Sequence, residues 1–171
     1  MKKILKELYP YLIIIVVVVL IRSFIVTPVR VDGSSMDSTL NNGNILILNK
    51  FDKTYDRFDI VVINAYIDGK KTRIVKRIIG LPLESVEYKD NDLYINGKLL
   101  KDKYNTRTYD FSLKELYGVE VLPKDCYFVL GDNRTNSRDS RDEQVKYINK
   151  KDIVGKTSIR IFPFTKIGKF N

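Results

Sequence analysis

Residues 60–80 read Ile60-Val61-Val62-Ile63-Asn64-Ala65-Tyr66-Ile67-Asp68-Gly69-Lys70-Lys71-Thr72-Arg73-Ile74-Val75-Lys76-Arg77-Ile78-Ile79-Gly80. The run Ile60 to Ile63 is apolar and β-branched, the composition of a buried strand. Asp68-Gly69 suits the two positive-φ positions of a tight hairpin turn. The return strand runs from Thr72 to Ile79, and Gly80-Leu81-Pro82 breaks it. Alternate side chains of a strand share a face, so Ile74, Lys76 and Ile78 point one way. Arg73, Val75, Arg77 and Ile79 point the other. The hairpin predicts a sheet and places a lysine between two isoleucines.

The same signals recur on both sides. Upstream, Val29-Arg30-Val31-Asp32 alternates with period 2, Gly33 to Thr39 is a small-residue loop, and the turn Asn41-Asn42-Gly43-Asn44 precedes the strand Ile45 to Leu48. Downstream, Val86 to Tyr88 and Leu93 to Ile95 flank Asp90-Asn91-Asp92, and Asn96-Gly97 makes another tight turn before Leu99. Residues 101–121 are polar and irregular, with a short helix expected over Ser112 to Tyr117. Strand character returns at Tyr127 to Leu130 and Ser158 to Phe162. The expected fold is mostly β, a compact, barrel-like domain over residues 28–171.

Before that domain, Leu12 to Ile21 are all aliphatic, and the apolar tract reaches from Leu8 to Val29. Leu8 to Thr27 supplies the roughly 20 residues of a spanning helix, provided Arg22 snorkels to the interface. A cleaved signal peptide would share the basic start but would end in small residues, where this chain has Arg22-Ser23-Phe24-Ile25-Val26. A core helix with no polar face is out of place in so small a domain. Lys2, Lys3 and Lys6 predict a cytoplasmic tail at 1–7, a single transmembrane helix at 8–27 and an extracytoplasmic domain beyond. The net charge of +9 fits an anionic membrane surface better than nucleic acid once an anchor is present.

The chain of 171 residues has no histidine and one cysteine. Those absences exclude Ser-His-Asp triads, His-ligated zinc and an internal disulfide. Cys126, inside the run Cys126-Tyr127-Phe128-Val129-Leu130, reads as a core thiol. Hydrolytic chemistry must then run on Ser, Thr, Lys, Asp, Glu or Tyr.

Three segments hold such residues. Gly33-Ser34-Ser35-Met36-Asp37-Ser38-Thr39-Leu40 permits a tight backbone with an exposed hydroxyl, although an ordinary turn has the same composition. Lys76 among isoleucines is a general base if burial lowers its pKa, or a snorkelling charge if it does not. Leu130-Gly131-Asp132-Asn133-Arg134-Thr135-Asn136-Ser137-Arg138-Asp139-Ser140-Arg141 is either a loop braced by charge-assisted hydrogen bonds or a solvated surface turn.

In this order the three segments resemble the boxes of bacterial type I signal peptidases: S-M-x-P-T-L, V-K-R-I-x-G and G-D-N-R-x-x-S-x-D-S-R. Between the first two, Arg57-Phe58-Asp59-Ile60-Val61-Val62 is similar to the family's R-G-D-I/V-V-V. The resemblance implies Ser35 as nucleophile, Lys76 as general base and Ser137 as the hydroxyl that orients the lysine. It implies ion pairs Asp139–Arg141 and Asp132–Arg77 beside the site. Val29, Val31, Met36, Leu40, Ile74 and Val75 would wall shallow pockets for the −1 and −3 side chains, usually Ala, of exported preproteins. The partners implied are preproteins and membrane lipids, without metal, cofactor or nucleic acid.

Three positions depart from the pattern. Ser38 replaces Pro, which loosens the loop behind the nucleophile. Phe58 replaces Gly, which reads as a change of packing. Gly33 stands where some Gram-negative members have a Ser donating to the oxyanion, and Gram-positive members commonly have Gly. The short span from Gly80 to Leu130 also resembles the smaller Gram-positive form. Alternatives are a Ser/Lys self-cleaving repressor relative, disfavoured by the anchor, and a weakly active assembly factor, disfavoured by intact Ser35, Lys76 and Ser137.

Overall fold

The structure is a computed structural model that describes residues 2–24, 26–104 and 107–170, with the side chains of the first helix described from Glu7 to Val19. Helix α1 (Lys2–Phe24) leads into β1 (Val26–Arg30), followed by β2 (Ile45–Asn49), β3 (Ile60–Ile67) and β4 (Lys70–Gly80). Then come β5 (Val86–Lys89), β6 (Asp92–Ile95), β7 (Lys98–Leu100), β8 (Phe111–Ser112) and helix α2 (Leu113–Tyr117). The chain closes with β9 (Cys126–Leu130), β10 (Ile148–Asn149), β11 (Ile153–Phe162) and β12 (Gly168–Lys169).

The larger sheet has the order β1-β2-β11-β3-β4-β9-β10, with β12 added on β11, and the smaller has β7-β6-β5-β8. Local chemistry explains the connections. Asp68 and Gly69 take φ of 52° and 72°, and Asn96 and Gly97 take 51° and 73°, as two-residue hairpins require. Helix α2 starts with a capping box in which Ser112 accepts from the Glu115 N–H and the Glu115 carboxylate accepts from Ser112. Gly118 ends it at φ 70°.

Three apolar clusters hold the sheets. Ile79, Tyr88, Phe111, Phe128 and Leu130 join the smaller sheet to the larger. Val61, Ile63, Ile78, Val129 and Ile148 pack a second cluster, and Val31, Met36, Leu40, Leu46, Ile60 and Phe170 a third. Cys126 is a buried thiol, as its run implied, and burial pushes its pKa up.

Several expectations need correction. The sheet does not close into a barrel, because β1 and β10 end its strand order and β9 and β10 are too short to carry it round. Strand β4 pairs with β3 from Lys70 to Arg77, but β9 reaches only Arg77, Ile78 and Gly80. The outer edges of β1 and of the first half of β4 are therefore left open.

The helix stops at Phe24, short of Thr27, because Val26 and Thr27 pair with Asn49 and Leu48. Pro28 thus lies within a strand, which β1 tolerates as an edge strand. Among the described residues no helix is long and apolar enough to cross a membrane.

Candidate active site

The loop after β1 brings Ser35 to the buried end of β4. Lys76 is 3% exposed, and its Nζ donates to Ser35 Oγ at 2.6 Å. The face predicted from alternation is observed, since Ile78 is buried and Ile74 partly buried on the same side. Burial lowers the Lys76 pKa from 10.5 to about 8; Asp139 and Asp132 oppose the shift, and Arg141 adds to it. At pH 7 roughly one molecule in ten then carries a free amine, against about one in 2,500 for a lysine in water.

The loop after β9 holds the nucleophile from behind. Asn133 N–H donates to the Ser35 carbonyl at 3.0 Å, and Asn133 Nδ2 donates to the Ser34 carbonyl at 3.1 Å. Asn136 Nδ2 reaches Ser34 Oγ at 3.1 Å. Gly131 is required by this contact: a Cβ there would lie 2.3 Å from both Ser35 O and Ser137 Oγ. Ser137 is brought beside the pair, but among the described residues its buried Oγ has no hydrogen-bond partner. The expected Ser137–Lys76 contact is not formed.

Both expected ion pairs are present and bidentate. Asp139 accepts from Arg141 Nε at 2.8 Å and Nη2 at 2.7 Å, and also from the Gly131 N–H at 3.0 Å. Asp132 accepts from Arg77 Nε at 2.8 Å and Nη2 at 2.6 Å. Arg77 further donates to the Phe58 carbonyl at 2.8 Å. A third pair was missed by sequence reasoning: Arg134 donates to Asp102 at 2.5 Å and to the Gly131 carbonyl at 3.0 Å. Arg134 stood in the quoted segment, but Asp102 lies in the irregular stretch, which carries no pattern that names a partner.

A groove of about 490 Å³ runs between the open edges of β1 and β4 to the Ser35–Lys76 pair. Val29, Val31, Ile74 and Val75 line it. Met36 and Leu40 do not: they are 1% and 0% exposed and belong to the core cluster with Leu46 and Ile60. Ser38 has φ 85°, a conformation closed to proline, so its departure is a different backbone and not only a looser one. Phe58 has φ 71°, so the glycine of the pattern is a backbone requirement as well as a matter of packing.

A mostly β domain that ends an open apolar groove on a serine hydroxyl held by a buried amine belongs among proteins equipped for hydroxyl chemistry without histidine. The comparisons narrow that class. The signal peptidase family, peptidase S26, matches residues 4–162. Signal peptidase I P of Bacillus subtilis subsp. natto is 42% identical over 165 residues, 91% of this chain and 88% of that protein. Signal peptidase I of Bacillus caldolyticus is 41% identical over 171 residues, 91% of this chain and 90% of that protein. The crystal structure of a signal peptidase I from Enterococcus faecalis V583 superposes with a TM-score of 0.54 at 37% identity, covering 60% of this chain and 96% of that one. The chain belongs to the signal peptidase family, peptidase S26, and is a peptidase.

Proposed function

We propose that this protein is a membrane-anchored signal peptidase I that removes N-terminal signal peptides from exported preproteins after small residues, with Ser35 as nucleophile and Lys76 as general base. The observation that carries the reading is the 2.6 Å hydrogen bond between Lys76 Nζ and Ser35 Oγ, made by a lysine whose burial lowers its pKa to about 8. Neutral Lys76 takes the Ser35 proton as Oγ attacks the scissile carbonyl. The Lys76 ammonium then protonates the leaving amine. A water deprotonated by Lys76 attacks the acyl-enzyme, releases the carboxylate product and restores the serine. The Ser35 backbone N–H is the donor assigned to the oxyanion.

Substrate choice follows from the groove. Its two open strand edges suit an extended peptide that adds main-chain hydrogen bonds on each side. Val29, Val31, Ile74 and Val75 leave room for small apolar side chains, so the −1 and −3 residues are selected by size. Helix α1 is assigned as the anchor, supported by the exposed aliphatic side chains from Leu12 to Val19. Lys2, Lys3 and Lys6 assign its start to the cytoplasm and the domain from residue 28 onward to the outside.

The test is cleavage of a preprotein bearing Ala-x-Ala by the purified full chain in detergent. Cleavage at that site by the wild type, and none by Ser35→Ala, is the expected result. No cleavage by the wild type refutes the activity, and cleavage by Ser35→Ala refutes the mechanism. For topology, a cysteine at exposed Lys101 should react with an impermeant thiol reagent in intact cells. Labelling only after lysis would reverse the assigned orientation.

A further inference from the structure

Residues Asp102 to Tyr104 cross behind the catalytic loop and touch both buried guanidinium groups that brace it. The Tyr104 ring lies flat under Arg77, with the guanidinium carbon 3.4 Å from the ring centroid. Its backbone N–H donates to Asp102 Oδ1 at 3.0 Å. Asp102 is itself fixed by Arg134 Nη2 and Tyr88 Oη, each at 2.5 Å. The Phe58 ring packs against Tyr104 with 5.7 Å between centroids. One short segment thus contacts the arginine that neutralises Asp132 and the arginine that holds the Gly131 carbonyl. We propose that Tyr104 is a positioning residue for the catalytic pair, holding Arg77 against Asp132 so that the Asp132 charge stays neutralised behind Lys76.

The electrostatic logic depends on which charges face Lys76. Asp139 and Asp132 favour its ammonium form, Arg141 disfavours it, and the Ser35 hydroxyl is its hydrogen-bond partner. Each carboxylate is matched by one guanidinium, Arg141 on Asp139 and Arg77 on Asp132. Arg77 donates two bonds to Asp132, one to the Phe58 carbonyl and a longer one of 3.4 Å to Thr39 Oγ1, and the Tyr104 ring lies over its guanidinium. Stacking of a desolvated guanidinium on an aromatic face is favourable and resists water. Without the ring, water reaches Arg77 and weakens its hold on Asp132. The exposed negative charge then favours the Lys76 ammonium. Tyr104 reaches no reacting atom and acts only through Arg77.

The proposal rests on the Ser35–Lys76 reading for its kinetic arm but not for its titration arm. Full-length protein in detergent is prepared as wild type, Tyr104→Ala, Tyr104→Leu and Tyr104→Phe, with ¹⁵N-labelled lysine. The Lys76 Nζ resonance is assigned by its loss in Lys76→Met. Removing the ring should move the Lys76 titration up by about one pH unit. It should also lower kcat at pH 7 about tenfold through loss of free amine, with recovery towards pH 10 and KM within about twofold. Tyr104→Leu gives the same shift if Tyr104→Ala does not fold, and Tyr104→Phe restores the wild-type profile. An unmoved Lys76 titration in both ringless variants overturns the proposal, as does a loss of kcat equal at every pH. A Tyr104→Phe that behaves like Tyr104→Leu overturns it too. Failure of the wild type to cleave leaves the titration to decide on Tyr104 alone.

Discussion

Lys76 and Arg77 are consecutive residues of β4, 3% and 1% exposed, on opposite faces of the same strand. On one face Arg77 meets a carboxylate in two hydrogen bonds, a carbonyl and an aromatic ring. On the other, Lys76 meets a serine hydroxyl, and among the described residues no carboxylate lies within ion-pair distance of it. A buried charge must be paired or lost. Arg77 is paired and braces the fold. Lys76 is left unpaired and gives up its proton within reach of neutral pH, which is what a base must do. Under the proposed mechanism, two neighbours with equal burial therefore serve stability and chemistry separately, and partner supply is the difference.

The largest effect should come from the lysine face. Ser35→Ala and Lys76→Ala should each lower the cleavage rate by at least about a thousandfold, and the double variant should be no worse than either. Progress curves on a preprotein at pH 8 measure this, and additive losses would mean that the two residues do not act as a unit. In the wild type the rate should climb about tenfold per unit below pH 8 and level off above it.

The arginine face should answer in stability. Arg77→Met or Asp132→Ala strands a buried charge and should cost about 3–5 kcal/mol in urea unfolding, whereas the paired change Arg77→Met with Asp132→Leu should recover much of it. If the double variant is no better than the single ones, the two groups are not a closed pair.

Lys76→Met gives the opposite sign. The folded pKa of about 8 lies below the unfolded value of about 10.5, so the native state binds fewer protons. That cost is fully present below pH 8, shrinks between pH 8 and 10.5 and vanishes above. The variant should be more stable than the wild type by up to about 3 kcal/mol at pH 7 and equal to it above pH 10.5, read from melting temperatures across pH. A stabilisation that does not change with pH would point to packing instead.

The smallest effects should come from Ser38, which sits at positive φ in the loop after the nucleophile. Ser38→Pro should destabilise by roughly 1–3 kcal/mol, since proline cannot adopt φ 85°. Ser38→Gly should stabilise by about 0.5–1 kcal/mol. Thermal unfolding of both decides the point, and a tolerated Ser38→Pro would mean that the loop takes a proline-compatible backbone.

Much of this was legible beforehand because it is local. The hairpin at Asp68-Gly69, the capping box at Ser112 and the alternation that turns Lys76 and Arg77 to opposite faces need only a few consecutive residues. The family pattern added the pairing of residues far apart in the chain, and Asp132 with Arg77 and Asp139 with Arg141 are found so paired. Met36 and Leu40 could not be sorted between groove and core, because their runs look alike either way and only the packing of Leu46 and Ile60 decides.

From sequence alone came the strand periods, the turns and the lack of histidine, set by covalent order and short-range sterics, while the family resemblance supplied the candidates Ser35 and Lys76. Tertiary structure alone decided that β9 stops short and leaves a groove, that Ser137 Oγ has no hydrogen-bond partner among the described residues, that Ser38 and Phe58 sit at positive φ, and that Tyr104 covers Arg77. Those outcomes depend on which distant segments share the same few ångströms, and on whether a buried charge finds a partner there.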